Sequence, residues 1–379
     1  MNPFHYGAVV SGADFYDRKD EADRIAETLL GGNNIVLYAP RRFGKTSLVF
    51  KIIEMLEKQK FICIYFDFMS IYSLESFVKL YSYALSKKQS NLKKFVQDLA
   101  SSIKNIRPVL SFNASGEPEF GVNFAGPSDT IDEAMISQLL DMSEVLFDKK
   151  RVFIFFDEFQ DCVKINDINF ENLLRSKIQH HKYTNYLFFG SKTHILNDMF
   201  NNKKRAFYNS ALPMSIGPLP EKETIAYLQK KFSAHSITIN SGMAKYIITT
   251  AGDIPHYIQL LASEVWQYMV NEKNTVTTDI IDYCVQRVLA SNKDYHIELF
   301  DRQSNSKKQL LQALSQSGKN IFSINYIKTY RLSSASAIQK AVKELIEDNI
   351  IEKINNEYFI ADPFFKLFVI NSYHPVTFN

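Results

Sequence analysis

A short apolar run that leads into a glycine-lysine-threonine loop constrains the fold of this chain more than any other feature. Residues 34–38 are mostly apolar, the segment Ala39-Pro40-Arg41-Arg42-Phe43-Gly44-Lys45-Thr46 follows directly, and a helical pattern begins at Ser47. The segment departs from G-x-x-x-x-G-K-[ST] only at Ala39, which replaces the first glycine. In such strand–loop–helix units, backbone N–H groups surround phosphate oxygens. The spacing therefore favours a phosphate-binding loop over a chance tripeptide with a solvated lysine.

Different residues of this loop are expected to bind different parts of a polyphosphate. We expect Lys45 to reach the β- and γ-phosphates and the Thr46 hydroxyl to be a ligand of Mg²⁺. We expect binding contacts from the whole loop and helix start: Ala39, Pro40, Arg41, Arg42, Phe43, Gly44, Lys45, Thr46 and Ser47. The sequence does not decide which of the two arginines faces the phosphates.

A second segment places two adjacent carboxylates at the end of a buried strand. Residues 151–156 form an apolar run typical of a parallel strand covered on both faces, and Asp157 and Glu158 follow it. Ligands of α/β sheets bind at the carboxyl ends of the strands. We expect Asp157 to support Mg²⁺, through water, and Glu158 to orient and deprotonate an attacking water. The alternative is an ordinary solvated strand end.

Composition places the chain among globular proteins of two or three domains. It has 379 residues, 46% of them hydrophobic and 22% charged, and no apolar stretch reaches the length of a membrane span. The N-terminus lacks a signal-peptide pattern, so we expect a cytoplasmic protein without a membrane partner. The widely spaced Cys63, Cys162 and Cys284 fit a reducing compartment and argue against structural zinc. The pair His180-His181 reads as a solvated helix end.

The pattern of elements predicts an α/β P-loop NTPase core with a parallel sheet, then an all-α lid-like domain, then a winged-helix domain. We expect the core over 1–219, with an N-terminal lead-in that packs on it and a β-hairpin insertion at about 107–125. Residues 220–300 show only helical patterns, with Pro255 in the first turn of one helix. Residues 301–379 show three helices and a small hairpin, the order of a winged helix.

Taken together, these segments resemble the archaeal-type ATPases, a family in the STAND class of P-loop NTPases that is related to AAA+ proteins. The resemblance rests on six segments in order: Phe15-Tyr16-Asp17-Arg18, the loop 39–48, Asp157-Glu158-Phe159-Gln160, Gly190-Ser191-Lys192, Arg205-Ala206-Phe207-Tyr208 and Gly252-Asp253-Ile254-Pro255-His256-Tyr257. It implies ATP binding and Mg²⁺-dependent hydrolysis at the Lys45/Asp157 site. It also implies a nucleotide contact from the block containing Pro255, and a switch in which ATP holds one arrangement of the domains. Alanine at position 39 is common in this family.

The sequence leaves two possible roles open for several residues. Ser191 is either a catalytic residue that senses the γ-phosphate or orients water, or the N-cap of the next helix. Arg205 is either an arginine finger or, as we favour, a surface arginine in a basic run. Phe15 and Tyr16 lie either near the adenine or in ordinary core packing.

The sequence therefore predicts an ATP-hydrolysing molecular switch that binds a protein partner. The same sequence pattern is compatible with an oligomeric protein. The alternatives are a DNA-binding ATPase that acts through 304–379, and a scaffold that holds nucleotide without turnover. The segment 304–379 has nine Lys or Arg and six Asp or Glu, so its basic footprint for DNA is weak. A small-molecule kinase fits less well, because an adjacent glutamate favours water as the acceptor.

Overall fold

Two compact units make up the computed structural model, which describes residues 2–7, 18–103, 106–112, 118–124, 131–271, 274–354 and 356–373. The sheet unit comprises Arg18–Pro40 and Lys45–Gly217. The C-terminal unit comprises the described parts of Met1–Asp17, Arg41–Gly44 and Pro218–Asn379. The tip of the predicted phosphate loop thus belongs to the unit that contains the helical and winged-helix segments.

The sheet unit contains a five-stranded parallel sheet and a separate hairpin. Its strands are β1 (Ile35–Tyr38), β2 (Ile62–Asp67), β3 (Ile106–Phe112), β4 (Pro118–Phe124), β5 (Val152–Asp157), β6 (Thr184–Phe189) and β7 (Leu212–Ser215). The sheet order is β2-β5-β6-β1-β7, with all neighbours parallel. Strands β5 and β6 are buried along their whole length, as their uninterrupted apolar sequences predict. Strands β3 and β4 pair antiparallel, which confirms the predicted hairpin; its loop, 113–117, lies outside the described residues.

Seven helices accompany the sheet. They are α1 (Lys19–Leu30), α2 (Lys45–Lys58), α3 (Leu74–Ser86), α4 (Leu92–Ser102), α5 (Glu133–Val145), α6 (Phe170–Ile178) and α7 (Thr193–Asn201). The sequence pattern predicts a helix from Lys19 to Leu30, stopped by Gly31-Gly32, and α1 has these bounds. Helix α7 is the helix that follows Ser191. The core is built largely from aromatic rings, with Phe156 within 6 Å of Phe159, Tyr186 and Phe188. Edge-to-face and offset ring contacts add to the area buried, and they fix the end of β5 against β6.

The C-terminal unit contains nine described helices and one hairpin. They are α8 (Glu221–Ser233), α9 (Ser241–Thr250), α10 (Pro255–Met269), α11 (Thr278–Ser291), α12 (Lys293–Asp301), α13 (Asn305–Gln316), α14 (Ile324–Thr329), α15 (Ala335–Glu347), β8 (Ile351–Ile354), β9 (Glu357–Ile360) and α16 (Pro363–Ser372). Pro255 is the first residue of α10, and Ser334 caps α15 by accepting from the N–H of Ala337. One hydrophobic core runs from Phe4 to Val369, so the helical and winged-helix segments pack as one body.

Three expectations are wrong. The sequence pattern predicts a last short strand over 214–219, but β7 occupies Leu212–Ser215, because Gly217-Pro218 cannot continue the ladder beside β1. The described part of the lead-in does not pack on the nucleotide core: Phe4 packs against Phe232 of α8, with ring centroids 4.9 Å apart. His181 is not solvated, because its ring is buried between the Tyr186 hydroxyl, at 2.6 Å, and a carboxylate oxygen of Asp141, at 3.1 Å.

None of the helices in the described ranges has both the length and the apolar character needed to cross a bilayer.

Candidate functional site

The glycine-lysine-threonine loop begins in the core and then turns outward. Ala39 is fully buried at the end of β1, which explains why a small apolar residue occupies the first glycine position. Arg42 and Gly44 both adopt left-handed backbone conformations, with φ of 68° and 78°. Helix α2 begins at Lys45, so the backbone N–H groups of its first turn are at the predicted phosphate position.

Lys45 is a buried cation on the sheet unit. Its side chain is 8% exposed, and its Nζ lies 6.0 Å from the centroid of the Phe189 ring at the end of β6. Its charge acts on the carboxylates of both Asp157 and Glu158, where it opposes the rise in pKa that burial causes. A buried ammonium group requires such counter-charges. The structure therefore brings the predicted loop lysine and the predicted acidic pair together.

Asp157 is the last residue of β5, and a tyrosine of the neighbouring strand fixes its carboxylate. The Tyr65 hydroxyl on β2 donates to Oδ2 at 2.6 Å, and the N–H of Glu158 donates to Oδ1 at 2.8 Å. Burial raises the pKa of Asp157 above its usual value, and the Tyr65 bond and Lys45 offset only part of that shift. The Tyr65 ring stacks on Phe50 with centroids 5.0 Å apart, which holds the hydroxyl in place.

Glu158 has the opposite electrostatic environment. Burial alone would raise its pKa, but Lys45 and hydrogen bonds from Ser191 and Gln160 outweigh it, so its pKa lies below the usual value. Its backbone is left-handed, with φ 45° and ψ 40°, a conformation that non-glycine residues adopt mainly where the surroundings require it. An ionised, buried carboxylate with fixed orientation is what a general base requires.

Ser191 follows β6 and binds Glu158 rather than a helix end. Its N–H donates to Glu158 Oε2 at 3.1 Å, and its hydroxyl donates to the same oxygen at 2.8 Å. The N-cap of α7 is Lys192, which makes no side-chain capping bond. The capping interpretation of Ser191 is therefore wrong, and the residue lies where it can orient the predicted base.

The two loop arginines have partners within the C-terminal unit. The Arg42 guanidinium pairs with Asp362 at 3.4 Å and lies 4.8 Å from the centroid of the Tyr257 ring. The N–H of Arg41 donates to Glu352 Oε1 at 3.3 Å. Two carboxylates of the winged-helix segment thus contact the tip of the loop.

The block containing Pro255 also reaches the loop tip inside this unit. The N–H of His256, in the first turn of α10, donates to the carbonyl oxygen of Arg42 at 3.4 Å. Pro255 itself has no N–H to donate, and its place at the start of α10 fits the fixed φ of proline. The predicted role of Pro255 as a nucleotide contact stays a prediction.

Arg205 is held by two carboxylates of the sheet unit. Its Nε and Nη2 donate to Glu171 at 3.2 and 2.7 Å, and its Nη1 donates to Asp198 at 3.0 Å. This bidentate geometry is typical of a structural ion pair. Phe15 and Tyr16, the other ambiguous candidates, lie outside the described residues.

Two site residues were not predicted from the sequence. Residues 61–68 have the pattern of an apolar strand, in which Tyr65 does not stand out, although a tyrosine hydroxyl on a buried strand usually requires a partner. Gln160 was quoted only as part of a motif, yet its amide donates to the Glu158 carboxylate. In both cases the signal was a polar group in an otherwise apolar segment.

The donor set at the sheet edge fits a hard divalent cation. The Thr46 hydroxyl lies in the first turn of α2, and the Asp157 carboxylate ends β5; both offer oxygen ligands, which Mg²⁺ prefers. The buried Asp157 carboxylate also has a raised pKa, so a nearby cation would stabilise its ionised form.

Comparison with known protein families shows the family to which this chain belongs. A family described as an ATPase domain predominantly from Archaea matches residues 15–213. The chain belongs to that family. A second family, described as "probable winged helix domain", matches residues 294–371. Family membership shows a nucleotide-binding ATPase, and the predicted resemblance is confirmed.

Solved structures support the fold of this archaeal-type ATPase. A Walker-type ATPase of Pyrococcus abyssi is 17% identical with a TM-score of 0.62, over 93% of this chain and 95% of that chain. The ORC2 protein of Aeropyrum pernix, solved as ADPNP–ADP complexes, is 13% identical with a TM-score of 0.51, over 93% of each chain. At these identities the likeness shows the fold alone. No curated protein matches the chain.

Proposed function

We propose that this ATPase is a Mg²⁺-dependent molecular switch, in which the nucleotide state controls the C-terminal unit and the binding of a protein partner. The observation that carries the proposal is the division of the loop between two units. Lys45 belongs to the sheet unit, whereas Arg41–Gly44 belong to the unit that contains the winged helix. Ordering of the loop on a polyphosphate would therefore act on the contacts that Arg41 and Arg42 make.

The chemistry proposed for the site assigns each residue a separate task. The loop amides and Lys45 bind the phosphates, with Thr46 and Asp157 on the metal. Mg²⁺, when bound there, would neutralise charge on the β- and γ-phosphates. Glu158 accepts the proton of the attacking water, because hydrogen bonds from Ser191 and Gln160 hold its carboxylate in one orientation.

Two substitutions test the hydrolysis part of the proposal. Lys45→Ala should abolish ATP binding, since no other group replaces the buried cation. Glu158→Gln should keep ATP affinity and lower turnover by about 10²–10⁴-fold, the usual contribution of a general base. Matched controls are Lys58→Ala and Glu75→Gln, which alter exposed residues of surface ion pairs. Normal turnover by the Glu158→Gln protein would show that the base is assigned wrongly.

The switch part requires a readout of shape and partner. Glu158→Gln loaded with Mg²⁺-ATP should differ from the ADP-loaded wild type in small-angle scattering and in protease sensitivity of the C-terminal unit. The same variant should retain a protein partner during purification in ATP. Asp362→Asn removes the charge opposite Arg42 and preserves a capping residue for α16. This substitution should therefore reduce the difference in scattering and protease sensitivity between the ATP-loaded and ADP-loaded proteins. Identical scattering in both nucleotides would contradict a switch.

The DNA-binding alternative has less support from the winged-helix surface. On α15, Lys340 lies 4.0 Å from Glu344, and Lys343 lies 3.9 Å from Glu347, so each cation has a carboxylate beside it. Phosphate neutralisation drives DNA affinity and makes it salt-dependent. Salt-sensitive duplex binding by the full chain would favour this alternative, and no binding at low salt would remove it.

The proposal also includes a cytoplasmic location and three domains at 1–219, 220–300 and 301–379. The single core shared by the last two segments suggests that they move together. If the wild type binds ATP with normal affinity but does not hydrolyse it, the protein is a scaffold that holds nucleotide without turnover.

A further inference from the structure

Three hydrogen bonds converge on one oxygen of the Glu158 carboxylate. The Gln160 amide Nε2, the N–H of Ser191 and the Ser191 hydroxyl all donate to Oε2. Because they end on the same oxygen, they fix the rotation of the carboxylate as well as its position. The other oxygen, Oε1, is then the one in position to accept a proton.

Gln160 has an unusual environment for a glutamine. It lies in the short 3-10 helix Phe159–Lys164, and its side chain is 1% exposed. Its amide oxygen is buried without a hydrogen-bond partner. Within the described residues, the bond to Glu158 is the one hydrogen bond that its side chain makes. Burial of an amide with an unsatisfied oxygen is unfavourable, so packing alone does not explain a glutamine here.

Gly190 provides the space that this amide occupies. A Cβ added at Gly190 would lie 1.8 Å from Gln160 Oε1 and 2.9 Å from its Cδ. Its backbone conformation does not require glycine, so the close approach of the amide is the reason for the residue. Gly190 and Gln160 lie on neighbouring segments, after β6 and β5, and they fit together only in this arrangement.

We propose that Gln160, seated against Gly190, is a positioning residue that anchors Oε2 of Glu158 and thereby directs Oε1 toward the attacking water. Gln160 does not touch nucleotide or water in this role; it acts through Glu158. The inference rests on the proposed function, in which Glu158 is the base. The hydrogen bonds to Oε2 also favour the ionised form of the base, consistent with its lowered pKa.

The main test replaces the amide with an apolar side chain of similar size. Gln160→Met should lower kcat about tenfold or more, because a hydrogen bond to a charged group is lost from the oriented base. KM for ATP should change less than about twofold, since phosphate binding does not involve this residue. The acid limb of the kcat–pH profile should move to higher pH, because a lost donor raises the pKa of Glu158. Gln97→Met, at an exposed position of α4, is the matched control.

Gly190→Ala tests the same contact from the other side. The added methyl group displaces the Gln160 amide, so this variant should reproduce the lower kcat and the shifted acid limb. The double variant should be no worse than the more damaged single variant, because both substitutions remove the same bond. Unchanged melting temperatures would separate these effects from unfolding.

Several results would overturn the inference. One is an unchanged kcat and acid limb in Gln160→Met; another is a higher kcat, which would mean that Gln160 restrains the base. A third is full additivity of the two substitutions. If the wild type hydrolyses no ATP, the proposed function fails first. The contact can then be tested by nitrogen-15 NMR of the glutamine side-chain amides, with Gln160 assigned from Gln160→Met. A Gln160 amide signal that Glu158→Gln leaves unchanged would refute the contact by itself.

Discussion

Replacing Tyr65 with phenylalanine removes one defined interaction of the site. The Tyr65 hydroxyl donates to Asp157 Oδ2 at 2.6 Å, while the ring stacks on Phe50. Tyr65→Phe retains the ring and deletes only the donor. The variant therefore measures how much the hydroxyl contributes to holding a buried, ionised carboxylate.

The expected magnitude follows from the charge of the acceptor. A hydrogen bond to a charged group contributes about 1.5–3 kcal/mol to the free energy of unfolding. Tyr65 is only half-buried, so water replaces part of the bond, and we expect a loss of about 1–2 kcal/mol at neutral pH. The loss should depend on pH. The pKa of Asp157 is already raised by burial, and removal of the donor raises it further. The destabilisation is therefore present above that raised pKa and shrinks as the pH falls through it and the carboxylate protonates.

Urea unfolding followed by far-ultraviolet circular dichroism, from about pH 8 down to the lowest pH at which the protein stays folded, measures this dependence. Tyr38→Phe is the matched control, because the Tyr38 hydroxyl contacts the neutral Asn201 amide at 3.4 Å. The small loss of unfolding free energy in Tyr38→Phe should not change over this pH range. If Tyr65→Phe lost the same free energy at every pH, the loss would come from packing, and the assignment of a charge-dependent bond would be refuted.

Two further predictions concern the stability of each unit. Gly318→Ala places a Cβ 1.7 Å from the carbonyl oxygen of Tyr358, so a backbone shift should lower the free energy of unfolding by about 2–3 kcal/mol. Urea unfolding monitored by the single tryptophan, Trp266, reports this unit. In Gly242→Ala the added Cβ meets only the Asn240 side-chain oxygen, at 3.3 Å, so this control should lose much less, and equal losses would contradict the clash. Arg205→Lys should recover less than half of the roughly 1–3 kcal/mol lost in Arg205→Ala, because lysine cannot form the bidentate pair. Turnover per folded molecule should be normal in both Arg205 variants, and a large loss of kcat with normal stability would instead identify an arginine finger.

Much of the architecture was predictable because local patterns agree with the fold. The apolar run before Asp157 had to be a strand buried on both faces, and the lysine loop had to follow another strand of the same sheet. One helix start was also predictable, since Pro255 is the first residue of α10, where the fixed φ of proline is favoured. These features depend on neighbours in the sequence, so one sequence is enough to find them.

The features that the sequence missed depend on contacts between distant segments. The burial of His181 requires Asp141, which is 40 positions away, and the bond from Tyr65 to Asp157 spans 92 positions. Nothing near His181 in the sequence distinguishes it from a solvated residue. The contact between Gly190 and Gln160 is a similar case. A close approach between a backbone and a side-chain amide leaves no periodic pattern in the sequence.

Asp157 and Glu158 are adjacent in the chain, yet the fold shifts their pKa values in opposite directions. Both are buried near Lys45, so the difference comes from the donors around each one. Asp157 ends β5 with one side-chain donor, and burial outweighs the effects of that donor and of Lys45 on its pKa, so a further cation nearby would stabilise its ionised form. The Glu158 carboxylate instead meets Ser191 and Gln160, which supply three donors to one of its oxygens. Different donors therefore give these two neighbouring carboxylates different environments, as the proposed division between a metal ligand and a base requires.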